Sequence, residues 1–154
     1  MIKEGLVSMK KRTLAVLFVC MILLLVGCSN SGKTSQAEVL IGASEKFSNK
    51  EIEQAVNAVK TRFKKFKKCE LIKLWYDEER SDDYTREYLQ NGRGTSNGAK
   101  EENVIVLLSD FKTGDHMNAN TGFDDNVTYS DWIWILIRED KDSAWVVDDY
   151  GYGY

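Results

Sequence analysis

The chain has 154 residues, 43% hydrophobic and 29% charged, with a formal net charge of −3 and no proline. That length holds one ordinary domain, and the acidic balance argues against nucleic acid as a partner, because phosphate binding needs a basic footprint. Three cysteines, Cys20, Cys28 and Cys69, are too few for a disulfide framework.

Lys10, Lys11 and Arg12 are followed at once by an apolar run from Leu14 to Val26 and then by Gly27-Cys28. A basic segment, a short apolar core and a small residue before a cysteine predict a lipoprotein signal peptide over residues 1–27. Cleavage would fall between Gly27 and Cys28, and Cys28 would carry the lipid on its sulfur as diacylglyceryl cysteine with palmitate-type acyl chains. A retained membrane helix needs about 20 apolar residues, which this run does not supply. Met9 offers a second start that leaves the signal intact. At about 0.8 kcal/mol per buried methylene, two acyl chains make a durable anchor. The expected location is the extracytoplasmic face of the cell membrane.

Loss of residues 1–27 would leave 17 basic and 23 acidic residues, a net charge of −6, with Cys69 the one cysteine not acylated. Gly27, Gly32, Lys33 and Thr34 match the spacing of a phosphate-binding loop. That motif works only between a buried strand and a helix, and here a secretion segment precedes it. Residues 28–46 are mostly small and polar around a brief Val39-Leu40-Ile41. They read as a flexible tether with a taut reach of roughly 60 Å, followed by a single domain over 47–154.

Phe47-Ser48-Asn49-Lys50-Glu51-Ile52 predicts a helix start at Asn49, with Ser48 and Glu51 as a capping box and Phe47 stapled onto Ile52. Ile52, Ala55, Val56, Val59, Phe63 and Phe66 fall on one arc of this helix, about 100° wide. Lys60, Lys64, Lys65, Lys67 and Lys68 lie off that arc, as a solvated helix end or as a surface for anionic headgroups. Cys69–Tyr76 reads as a strand. Asp77–Asp83 reads as an acidic turn leading to a short helix over Tyr84–Gln90, capped by Asp82 or Asp83 and ended by Gly92.

Asn103–Phe111 and Asp131–Arg138 are apolar on both alternating faces, as central strands are. A turn at 139–143 leads to a last strand at Ala144–Asp148. The expected fold is therefore α+β: a long N-terminal amphipathic helix packed on a curled antiparallel sheet of about four strands, plus a short second helix. The second apolar face of the sheet needs cover from that short helix, from a second copy of the chain or from a ligand.

Five stretches, Phe47-Ser48-x-x-Glu51-Ile52, Cys69-x-Leu71-x-x-Leu74-Trp75-Tyr76-Asp77-Glu78, Asn103–Leu107, Asp131-Trp132-x-Trp134–Arg138 and Trp145-x-Val147-Asp148-Asp149-x-Gly151-Tyr152, carry a resemblance. Together they resemble a family of small uncharacterised lipoproteins of Gram-positive bacteria, and the resemblance spans the whole expected domain. It implies a cystatin-like or nuclear-transport-factor-two-like roll on a lipid anchor, and it supplies no catalytic residues and no cofactor.

His116 is the only histidine, so a nucleophile-histidine site would have to use it. Asp110, Asp115, Asn118, Asn120, Asp124, Asp125 and Asn126 offer oxygen ligands for calcium, but without the spacing of an EF-hand loop. Trp132, Trp134 and Trp145 either fill the core or line a ligand pocket. Adjacent carboxylates at Asp82-Asp83 and Asp148-Asp149 point apart in an extended chain and cannot act as one acid-base pair. With no assembled catalytic, metal or cofactor set, the leading expectation is a non-enzymatic module, anchored in the membrane, that binds a peptide, a protein or a small apolar ligand. Its rivals are a cell-envelope hydrolase using His116 with Asp110 or Asp115, and a structural or immunity-type surface protein.

Overall fold

A computed structural model describes residues 31–152, so Gly27, Cys28 and the segment read as a signal peptide lie outside the described residues. The elements run β1 (Glu38–Ile41), α1 (Asn49–Phe63), β2 (Cys69–Tyr76), α2 (Glu78–Asn91), a one-turn α3 (Gly94–Asn97), β3 (Val104–Thr113), β4 (Thr128–Ile137) and β5 (Val146–Gly151). They form one five-stranded sheet in the order β1-β2-β3-β4-β5, in which β1 pairs parallel to β2 and every other pairing is antiparallel. The fold is α+β, but the expected four-stranded antiparallel roll is corrected to a mixed five-stranded sheet.

The added strand comes from the stretch read as a tether. Lys33 first bridges to Glu70 of β2, and Glu38–Ile41 then pairs with Lys73–Tyr76. Gly32 is wedged at the end of α1: a Cβ there would meet the carbonyl oxygens of Phe63 and Phe66 at 2.2 and 2.8 Å. Lys33 thus sits in a strand bridge, not in a loop that opens a helix.

The long N-terminal helix is likewise corrected, to 15 residues that begin after β1. Its start matches the sequence reading, since Ser48 accepts from the Glu51 amide and the Glu51 carboxylate accepts from the Ser48 amide. Its end comes at Phe63, where i→i+3 bonds from Lys65 to Arg62 and from Phe66 to Phe63 tighten the chain. Lysines spaced four apart at 60, 64 and 68 oppose continuation of the helix. Phe66 still reaches the core, from a turn. The acidic turn is in fact the start of α2: the Asp77 carboxylate caps it by accepting from the Arg80 amide, and Glu78 and Glu79 occupy its first turn. Negative charge suits that end of a helix.

The pleat sorts the central strands onto two faces. Ile105, Leu107 and Phe111 of β3 and Trp132, Trp134 and Leu136 of β4 pack with Ile52, Ala55, Val56, Val59 and Phe63 of α1. Val104, Val106, Leu108, Ile133 and Ile135 pack instead against Tyr88 of α2, with Trp75, Tyr84 and Leu89 at the margin. Of the three covers that the second apolar face could take, the structure shows the chain's own helix. At α1's C-terminal end an aromatic cluster gathers Phe66, Phe111, Phe123, Tyr129, Trp132 and Tyr150, with Phe111 and Tyr129 stacked at 5.0 Å. No helix among the described residues is long and apolar enough to cross a membrane.

Candidate binding cleft

Two segments frame a cleft of about 520 Å³. One is Asn97–Asn103, which leaves α3 through Gly98 at φ +74°, a conformation glycine adopts freely. The other is the β4–β5 hairpin, from Ile137 to Val146. Ala99, Ile137, Ala144 and Val146 give the cleft apolar wall, and Val146 is 61% exposed. Asn97, Lys100, Glu139 and Ser143 bring polar groups to the same space.

Arg138 ties the two segments together. Its Nη1 donates to Glu51 Oε1 at 2.8 Å and to the Lys141 carbonyl, its Nε to Asn103 Oδ1 at 3.2 Å, and its Nη2 to the Glu102 carbonyl. The guanidinium also lies over the Trp145 ring, 4.3 Å from its centroid. A planar fork with five donors is suited to such a junction, and here every branch ends on protein, so Arg138 shapes the cleft by holding its walls. Asn103 repeats the link through its carbonyl, which accepts from the Arg138 amide, and its Nδ2, which donates to the Glu139 carbonyl. Hydrogen bonds from Ser48, chiefly, and then the guanidinium hold the Glu51 carboxyl down at about 2. Behind the lining residue Asn97, whose Nδ2 donates to Tyr88 Oη, the Tyr88 hydroxyl donates in turn to Asp148 Oδ2 at 2.6 Å. Burial first, and then the Asp148 carboxylate, raises the Tyr88 phenol well above its usual range.

None of the three tryptophans lines this cleft. Trp134 is fully buried and donates its indole N–H to Ser109 Oγ at 2.8 Å. Trp145 is buried and donates to the Glu51 carbonyl, while Trp132 sits in the aromatic cluster with its indole N–H unpartnered among the described residues. His116 lies apart from them on an exposed loop at φ +53°. Its backbone amide donates to Asp125, its carbonyl accepts from Lys68 Nζ at 2.7 Å, and its ring makes no hydrogen bond among the described residues.

Several of the candidate calcium ligands are taken up in local hydrogen bonds. Asp125 accepts from the amides of His116 and Met117 and is held below the usual carboxylate range by them, the Met117 amide foremost. Asp115 accepts from Asn126 Nδ2, Asn118 from the Asn120 amide and Asp110 from the Asp131 amide. Among the described residues no three His, Cys, Asp or Glu side chains come together as a metal site. The sequence reading named Arg138 and Asn103 only as strand termini. An arginine closing an apolar strand, as Arg138 does, is the one local feature from which a buried junction could have been read.

No curated protein and no solved structure matches this chain. A family model described as a domain of unknown function, DUF4829, matches residues 42–151, a span that begins just after β1 and holds both walls of the cleft. The chain belongs to that family.

Proposed function

We propose that this protein is a lipid-anchored, extracytoplasmic binding module, and that the cleft between Asn97–Asn103 and the β4–β5 hairpin takes a short peptide. The anchor half of the reading rests on Gly27-Cys28 at the end of the apolar run. The binding half is carried by one observation: an open cleft in which apolar wall from Ile137, Ala144 and Val146 stands beside Asn97, Lys100, Glu139 and Ser143. Peptides present the same mixture of side-chain carbon, amide and charge. The buried junction around Arg138 keeps the two walls in register, so little ordering cost falls on binding.

The test has two arms. Intact mass of the chain purified from membranes should show residue 28 as the new N-terminus with its acyl chains, and Cys28→Ala should release the protein from the membrane fraction. Titration calorimetry against a peptide panel should find a binder that Ala99→Trp and Val146→Asp each weaken about tenfold, or ~1.4 kcal/mol. Binding that is indifferent to both substitutions, with both variants folded by circular dichroism, would remove the cleft from the reading.

A further inference from the structure

A tether that reaches roughly 60 Å would let the domain stand clear of its membrane, yet the chain is already docked at Gly32. The Gly32 amide donates to the Lys64 carbonyl at 3.0 Å, the Lys33 amide donates to the Cys69 carbonyl, and the Lys33 carbonyl accepts from the Leu71 amide. Gly32 and Lys33 are thereby laced across the end of α1 and the start of β2. Only Ser29, Asn30 and Ser31 separate Gly32 from Cys28, a taut reach of about 14 Å.

The same spot carries a concentration of positive charge. Residues 60–68 hold Lys60, Arg62, Lys64, Lys65, Lys67 and Lys68 and no acid. Lys64, Lys65 and Lys67 are exposed, as is Lys33 beside them, and none of the four joins an ion pair among the described residues. Arg62 is occupied with Tyr150, and Lys68 with the carbonyls of Asp115 and His116. Glu70, the strand neighbour of Lys33, is already paired to Lys112, so four exposed cations outside any ion pair among the described residues stand where the chain leads back toward Cys28.

We infer that Lys33, Lys64, Lys65 and Lys67 form a docking surface for anionic lipid headgroups, which seats the domain against the membrane with the end of α1 facing the bilayer. The inference rests on the lipid-anchor reading and deepens it. An acyl anchor at Cys28 holds this patch within about 14 Å of the membrane, close to the ~8–10 Å over which a charged surface acts before salt screens it. Acylation and a basic patch then act as two signals on one face. The seat also fixes orientation, which a long free tether does not.

The test uses the full chain purified from bacterial membranes, its acylation established by intact mass, and placed in phosphatidylcholine vesicles with or without phosphatidylglycerol. Lysines are labelled by a water-soluble acylating reagent and read by mass spectrometry. Labelling of Lys33, Lys64, Lys65 and Lys67 should fall about threefold with phosphatidylglycerol at low salt, and recover at high salt. Lys100 and Lys141 should be labelled equally on both vesicles. Reversing three charges with K64E, K65E and K67E together should restore labelling of Lys33 without loss of acylation or of helical circular dichroism. Equal labelling of the four lysines on both vesicles overturns the docking surface and leaves the anchor standing. A purified chain with a free thiol at Cys28 overturns the anchor, and the seating falls with it.

Discussion

Beneath α1 the sheet meets a helix that buries Ile52, Ala55, Val56, Val59 and Phe63, whereas beneath α2 it meets one that buries Ser81, Thr85 and Tyr88. Each of the three residues buried by α2 carries a hydroxyl. Ser81 Oγ accepts at 3.0 Å from the amide of Val106, a central-strand residue that lies beyond the end of β2's pairing with β3. Tyr88 reaches across to Asp148 of β5. One helix is held by apolar area without direction, and the other by a few bonds with fixed geometry. An apolar face can therefore be closed by a helix whose sequence shows little apolar stripe, provided its polar atoms meet backbone groups that the sheet leaves open.

The largest effect that would test this contrast belongs to the α1 side. Phe63→Ala removes a fully buried ring that packs on Phe66, Phe111 and Trp134. It should cost about 3–5 kcal/mol in urea unfolding, as large-to-small core changes do. On the α2 side, Ser81→Ala deletes one oxygen and almost no area, yet should cost about 2 kcal/mol by leaving the Val106 amide buried without a partner. If Ser81→Ala unfolds at the wild-type midpoint, α2 is held by area after all.

The last effect is the dependence on acid. Glu51, at the start of α1, has a carboxyl held at about 2 in the folded chain against about 4.5 when free. A depressed carboxyl favours the folded state above its unfolded value, and that contribution fades as pH falls from about 4.5 toward 2. Thermal unfolding of the wild type should lose midpoint across this window. Glu51→Gln should start lower at pH 7 and show a flatter profile. Parallel profiles would show that the Glu51 charge adds nothing to the capping box.

Features written in local chemistry were legible in the sequence. The capping box at Ser48 and Glu51, the strand Cys69–Tyr76 and the two doubly apolar central strands all follow from short-range pattern. β1 was not legible, because four residues in a polar stretch acquire strand character only by pairing with Lys73–Tyr76, more than thirty positions along the chain. The beginning of α2 was hidden by its acids, which suggest a turn until Asp77 is recognised as the cap. The cleft had no signal of its own. Its walls come from residues 97–103 and 137–146, which are brought together by Arg138, and no spacing in one dimension encodes that meeting.

Cys69 opens β2 on the α1 side of the sheet, almost wholly buried, with its Sγ near the Lys67 carbonyl and burial pushing the thiol up to about 11. Protonated and shielded, it is a poor nucleophile at neutral pH, so air or disulfide reagents should find it only when the sheet opens. The chain thereby carries its own unfolding clock: the rate at which a thiol probe marks this position, mapped by peptide mass, reads the free energy of opening without any engineered label.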